Sequence, residues 1–456
     1  MKIVIIGAGI AGCAGYLELR KHLPQPTESD ESHEITIYEA YNTKLSIAAD
    51  ERTEEHTHSS TLLIGGGLGV APNGLNVLKR LDEELLKDVV RGGYVTAISN
   101  MKNKNGWPLF SIKIATRFGL LCGGEFQTTI SSTKEYPKLL PDRMEGIRFT
   151  LSITALQWRR IWLSVRTASE VLPSGHFSRM PKRIHIPPNY EGLVGVGGFI
   201  PAADVKDIVE PGSMNFVFGG NGFFGYFFSE SSMSAANRDS PYHVSEPGDS
   251  LAWWSTYEIE ECPDWKTLDM DDVTRQLRER HANWKEPVVK KVIQSLHVEN
   301  MYPTWTLPAL PTWERDGVVL VGDAAHALPS SSGQGSSQAL EDVEALALLL
   351  AHHLHMGNAH LDEVSPKAQK NAIKAAASQY VNLRQPHLNA ILESAQKTQN
   401  SKREMGILKE YFMYGVMKIM GERFPGLFPG FMSNQIRTVT EYNIADDVAR
   451  IIASDN

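Results

Sequence analysis

The first twelve residues restrict the fold of this chain more than any other stretch. A short, continuously apolar, β-branched run, Lys2–Ile6, passes directly into Gly-Ala-Gly-Ile-Ala-Gly, from Gly7 to Gly12. Residues Ile10–His22 then carry a helical pattern that Pro24 stops, and a second apolar run, Ile35–Tyr38, ends on Glu39. Strand, glycine turn, helix and strand make a βαβ unit with buried parallel strands, its crossover padded by the polar residues Pro24–Glu34.

Each glycine in that turn has a physical task. Gly7 permits the tight turn, Gly9 has no Cβ to keep a pyrophosphate away, and Gly12, after Ala11, lets helix and strand approach closely. The helix N-terminus adds N–H groups and partial positive charge. Glu39, at the end of the second strand, is placed to accept from ribose hydroxyls. An acidic rather than a basic residue there argues against a 2′-phosphate and for NAD or FAD.

A second constellation separates those two. In GVVLVGDAAHALPSSSGQGSSQALED, an apolar run ends on Gly322-Asp323, and Gly333-Gln334-Gly335 precede a new helix from the Ser336 region. An Asp at the C-terminal tip of a parallel strand can bond the hydroxyls of an extended ligand. The bared helix N-terminus can stabilise the negative charge of a reduced flavin near its N1 and O2. A plain NAD dehydrogenase has no use for this second motif, so the two sites fit the two ends of one FAD.

Composition closes other routes. The 456 residues are 42% hydrophobic with a net charge of −8, enough for a large core and unsuited to nucleic acid or an anionic membrane. Cys13, Cys122 and Cys262 show neither a pairing pattern nor metal-ligand spacing, which fits a reducing compartment. The most apolar stretches, Ala345–Ala351 and Tyr411–Met420, are too short to span a bilayer. His56 and His58 have no ligand partners at metal spacing nearby, so no metal is expected, and the charged segment Ala49–Ser60 reads as an exposed loop. A cytoplasmic protein with no membrane span and no obligate protein partner is the expectation.

The rest of the chain alternates β-rich runs with Gly/Pro breaks over Gly106–Thr154 and Gly192–Glu261, and it turns helical after Ser336. Asp271 and Asp272 open a helix over Asp271–Trp284, and Pro72-Asn73-Gly74 open another that continues over Leu75–Leu81. The expected fold is α/β: a Rossmann-like FAD-binding domain, an antiparallel-sheet substrate domain and a helical C-terminal region. The FAD-binding domain is assembled from residues 1–95, 146–210 and 296–355. Residues 96–145 are a β-rich segment on the substrate side, 211–295 the substrate sheet, and 356–456 the C-terminal helices.

The stretch GDAAHALPSSSGQGSSQALED resembles the second FAD fingerprint of class A flavoprotein monooxygenases, the para-hydroxybenzoate hydroxylase-like family. GAGIAG, Glu39 and GGGLGVAPNGLNVLKRL (Gly65–Leu81) fit the same family, and the likeness runs from about Met1 to Leu350. It implies that Asp323, with Ala324 beside it, bonds the ribityl chain, and that Gly333, Gln334, Gly335 and Ser336 hold the pyrimidine edge of the isoalloxazine. It places Pro329 beside the flavin face where oxygen reacts. An Arg on a helix against the FAD is best matched by Arg159, with Arg160 close behind, and His326 reads as a structural or flavin-edge residue rather than a base.

Three departures stand out. The family's middle motif carries Asp-Gly, and the matching stretch, Leu193–Lys206, has Gly197 where Asp would stand. The Arg commonly found just past the strand-end Glu is absent, leaving Tyr41 and Lys44. Ser336 and Ser337 replace a pair that includes Asn.

The implied reaction is monooxygenation. NAD(P)H reduces FAD, and one atom of O₂ enters a fairly apolar small molecule by hydroxylation, epoxidation or Baeyer–Villiger oxidation, in secondary metabolism. The chemistry is borne by the flavin, so no catalytic acid or base is assigned. Residues Phe223, Phe224, Tyr226, Phe227 and Phe228, followed by Trp253-Trp254, suit an apolar pocket or a sheet core equally. Tyr226 alone among them has a hydroxyl that could orient a substrate. An oxidase or reductase of the same fold, or a non-enzymatic binder of a related fold, are the alternatives.

Overall fold

The computed structural model describes residues 1–24, 33–38, 67–113, 127–131, 162–166, 188–264, 267–296, 298, 301–315, 317–329, 332–358, 366–399, 404–423 and 442–455. Glu39, Tyr41, Lys44, His56, His58, Cys122, Arg159 and Arg160 lie outside these residues.

Lys2–Ile6 pairs in parallel with Glu34–Tyr38, and Ile10–His22 forms the intervening helix. On its other side Lys2–Ile6 pairs antiparallel with Trp162–Arg166, which pairs antiparallel with Val318–Val319. The sheet is therefore mixed rather than parallel at this point. Two antiparallel steps restore the direction, so the strand before Gly7 and the strand before Gly322 run the same way and leave the sheet at the same edge. Helices Gly335–Asn358, Pro366–Gln399 and Ile444–Asp455 pack on this layer.

A second, seven-stranded sheet runs in the order Pro108–Lys113, Ile98–Asn103, Ser213–Gly219, Gly222–Phe228, Ser250–Glu258, Asn189–Pro201 and Met301–Thr306. All its pairs are antiparallel except Ile98–Asn103 with Ser213–Gly219. Asn189–Pro201, read from sequence with the FAD-binding part, is thus a strand of this sheet. One face is sealed by helices Met270–His281 and Pro287–Gln294, whose Leu277, Val288 and Val292 meet Phe224, Tyr226 and Phe228. The Asp269 side chain caps the first of these helices by accepting from the Asp271 and Asp272 N–H groups. Among the described residues no helix is long and apolar enough to cross a membrane.

Candidate cofactor site

The two glycine turns meet. Gly7 adopts φ 105°, open to glycine alone, and donates its N–H to the Tyr38 carbonyl at 2.7 Å, which ties the turn to the tip of the second strand. A Cβ added at Gly12 would stand 1.9 Å from the Gly7 carbonyl oxygen, so only glycine lets this helix approach its strand. Gly9 begins the helix with no side chain capping it, leaving the first turn open to an anionic ligand. Gly322, at φ 57°, sits between the two helices that follow the turns: an added Cβ would lie 3.2 Å from Cβ of Ala11 and 3.3 Å from Cβ of Ala339.

Asp323 follows on a single helical turn, Asp323–His326. Its side chain reaches solvent, yet protein surrounds it closely enough that desolvation raises its pKa. Asp323 thus stands where a ligand can reach its carboxylate. Ala324, next to it, is buried, and so is Pro329 in the segment that follows. Gly333 takes φ 59°, and nothing lies within 4 Å of a Cβ added at Gly335, so the start of the Gly335 helix borders open space. An uncapped helix start, an accessible carboxylate and a second helix start beside empty space fit a long ligand with a pyrophosphate, hydroxyls and a polar ring edge.

The neighbouring polar side chains have other tasks. Gln334 is buried, and its Oε1 accepts from Asn73 Nδ2 at 3.3 Å and from Gln338 Nε2 at 3.2 Å. Ser336 Oγ donates to the Gly69 carbonyl at 2.5 Å, and Ser337 Oγ accepts from the Ala71 N–H at 2.9 Å. The side chains of Gln334 and Ser336 thus dock the loop on Gly69–Asn73, and what they offer a ligand is backbone.

Beneath the second turn lies a group that sequence reasoning missed. Arg384, on the Pro366 helix, is fully buried; Nε donates to Asp342 Oδ1 and Nη1 to Glu341 Oε2, each at 2.8 Å, and Nη2 donates to Gln338 Oε1. The other oxygen of Asp342 accepts the Gly322 N–H at 2.9 Å and lies 2.6 Å from His326 Nε2. One carboxylate thus fixes both the glycine and the histidine of the GDAAH turn. Glu341 Oε1 accepts from Asn73 Nδ2 at 2.7 Å. Burial would raise the Asp342 pKa, but the facing His326 and Arg384 bring it down to about 2, whereas burial prevails at Glu341 and raises it to about 7.

Two readings are corrected. Tyr226 is fully buried on the helix-covered face, where its hydroxyl donates to Glu286 Oε1 at 2.7 Å and accepts from Lys102 Nζ at 2.7 Å, so it cannot orient a substrate. Gly197 is no vacancy for an acidic side chain. It pairs with Trp254 inside the seven-stranded sheet, and an added Cβ would stand 2.9 Å from the Trp253 carbonyl oxygen.

The opposite face of that sheet carries Met214, Phe227 and Ala252 with the half-buried Phe199, Phe216 and Trp254. The Trp254 indole lies across Gly225, where a Cβ would come within 2.1 Å of it. This sheet also reaches the flavin-fingerprint loop: Leu307, just past the edge strand Met301–Thr306, donates its N–H to the Ala327 carbonyl at 3.4 Å.

Residues 245–378 match the family described as FAD binding domain. FAD-dependent monooxygenase nodY2 of Hypoxylon pulicicidum is 40% identical over 67 residues, 14% of this chain and 14% of its own length. FAD-dependent monooxygenase ntnJ of a Nectria species is 28% identical over 162 residues, 33% of this chain and 37% of its own. The chain therefore matches well under half the length of these curated relatives. Among solved structures, Klebsiella pneumoniae HpxO complexed with FAD and uric acid has a TM-score of 0.58 at 14% identity, covering 100% of this chain and 96% of that one. FqzB has a TM-score of 0.60 at 15% identity, covering 100% and 95%. The fold is shared with these proteins, and residues 245–378 match a family described by its FAD binding.

Proposed function

We propose that this chain, which belongs with the class A flavoprotein monooxygenases, binds FAD across its two glycine turns and transfers one atom of O₂ to an apolar small molecule, with NAD(P)H as reductant. The convergence of the turns at Gly322, with the enclosed Asp323 carboxylate between them, carries this reading. The Gly7–Gly12 turn and its helix start would hold the pyrophosphate, Asp323 the ribityl hydroxyls, and the start of the Gly335 helix the pyrimidine edge. When bound, the flavin supplies the redox chemistry: NAD(P)H provides two electrons, one oxygen atom enters the substrate and the other leaves as water.

The chain's own residues bind, orient and exclude water. Pro329 brings no ionisable group to the oxygen side of the cleft. The face of Phe199, Phe216 and Trp254 offers aromatic surface and no charge, which favours an apolar and at least partly planar substrate. The choice among hydroxylation, epoxidation and Baeyer–Villiger oxidation rests with the substrate.

Flavin content is the first test: the purified protein should show flavin absorbance or acquire it with added FAD, and a protein that takes up none contradicts the reading. Asp323→Ala should weaken FAD binding by about 1.5–3 kcal/mol, the usual worth of hydrogen bonds to a charged group. Unchanged affinity would remove its assigned role. Product formed under ¹⁸O₂ separates oxygen transfer, which incorporates one labelled atom, from an oxidase or reductase, which incorporates none.

A further inference from the structure

Ten residues beyond Asp342, about 15 Å along the same helix, stand His352 and His353. The end of the helix Ile444–Asp455 is folded against them. His352 Nε2 lies 3.7 Å and His353 Nε2 4.0 Å from Asp455 Oδ2, and one ligand atom from each of the three falls within 4.8 Å of the others. Gln379, on the Pro366 helix, spans two of them: its Nε2 donates to Asp455 Oδ2 at 2.7 Å and its Oε1 is 2.8 Å from His353 Nε2.

We propose that His352, His353 and Asp455 form a binding site for a divalent transition-metal ion of the zinc type, which pins the helix Ile444–Asp455 to the Gly335 helix.

A polar cluster that only ties helices together leaves one atom unexplained. The His352 side chain is 10% exposed, and its Nε2 is shielded from solvent with no hydrogen-bond partner. At 3.7 Å it is too far from Asp455 for a hydrogen bond, so a buried imidazole nitrogen aims at its neighbours without reaching them. Ligands in a tetrahedral zinc site, with bonds near 2.0–2.1 Å, stand about 3.4 Å apart. The two imidazole–carboxylate distances, 3.7 and 4.0 Å, exceed that spacing by only about 0.3 and 0.6 Å.

Two imidazoles and one carboxylate suit zinc or its transition-metal neighbours and offer too few oxygens for calcium or magnesium. Asp455, the most exposed of the three, leaves room for water at the fourth position. On binding, His353 Nε2 exchanges its contact with Gln379 Oε1 for the metal, while Gln379 Nε2 continues to hold Asp455 as an outer-sphere donor. The pinned helix buries Ile444 and Val448 in the core of the cofactor layer, and just ahead of it Tyr442 stacks on His387 at 4.2 Å. The metal's role is thus structural and independent of oxygen transfer.

The test uses the flavin-loaded protein stripped with a chelating resin, then titrated calorimetrically with ZnCl₂ or MgCl₂ and melted in each. One zinc per chain should bind and raise the melting temperature, with magnesium inert. His352→Ala and Asp455→Asn should each lose about two orders of magnitude in zinc affinity while keeping their flavin spectrum, whereas Gln379→Ala should keep the same stoichiometry. If either ligand variant fails to load flavin, His353→Gln replaces it under the same expectation. No stoichiometric zinc, equal effects of zinc and magnesium, or zinc binding that persists in the ligand variants would each overturn the site.

Discussion

Around Gly7–Gly12 the chain is shaped by backbone contact, and around Gly322–Gly335 by buried charge. The first turn closes because Gly12 has no Cβ to strike the Gly7 carbonyl and because Gly7 bonds the Tyr38 carbonyl. The second turn is gripped from below by Asp342, which is held by Arg384 and shared with His326. The difference has a plain origin. A glycine turn between a strand and the helix it packs on inherits its shape from that packing, whereas a loop joining two helical segments across a cleft needs fixed partners. The first turn should fail through sterics and the second through electrostatics.

The largest effect is expected at Arg384. Arg384→Ala leaves Glu341 and Asp342 buried beside each other without their shared cation, a loss on the order of 3–5 kcal/mol. Thermal melts should show a clear fall, and flavin should be lost with the fold. A stability change within experimental error would mean that charge does not brace the second turn.

Next comes pH. The folded pKa of Glu341, raised by burial to about 7, lies above its unfolded value near 4.3. Its contribution is therefore fully present below the unfolded pKa and is lost as pH rises through about 7. Asp342 has the opposite sign: depressed to about 2, its contribution is present above about 3.9 and lost as pH falls through 2. Glu341→Gln should flatten the decline between about pH 4.5 and 7 by roughly 2–3 kcal/mol, measured as unfolding free energy at both ends. Asn73 can serve the new amide, because its Oδ1 has no partner at present and can accept after a flip. An unchanged slope would assign the decline to other groups.

Gly12→Ala should follow. Its Cβ would force the helix off its strand, costing about 1–3 kcal/mol if the backbone yields and more if it does not. The pH dependence of this variant should be unchanged, since no charged group is disturbed. A shifted pH profile would erase the distinction between the two turns.

How much of this was visible in the sequence depends on the range of each interaction. The helix Ile10–His22 and the glycine turn before it are local, fixed by apolar periodicity and by residues a few positions apart, and they lie where the sequence places them. Asp323 could be singled out as a candidate because a strand end, an acid and a glycine pair sit in one short stretch. Arg384 was not, because its partners are 42 and 43 residues away and nothing in its own helix marks it. Tyr226 failed for another reason: alternation sorts a strand's residues into two sets without saying which set the helices cover. Gly197 was read as a missing acid, and only strand pairing with Trp254 reveals a site too close to backbone for a side chain. The adjacent histidines 352 and 353 were in plain view, but Asp455 is a hundred residues further on.

The smallest effect on stability, and the sharpest test of what the second turn is for, is expected at Gly335. A Cβ there meets nothing within 4 Å, and its φ is not positive, so neither packing nor backbone conformation requires a glycine. Gly335→Ala should leave the flavin-free protein within about 0.5 kcal/mol of the parent, or slightly more stable, because alanine loses less entropy than glycine at a helix start. If the open space belongs to the isoalloxazine edge, the same methyl group stands in the ligand's place and FAD binding should weaken by about tenfold or more, roughly 1.4 kcal/mol. Melting without flavin and titration with it read the two quantities separately. A variant that binds FAD as tightly as the parent would show that the glycine does not face the flavin, and would move the isoalloxazine away from this helix while leaving Asp323 and the first turn as they are.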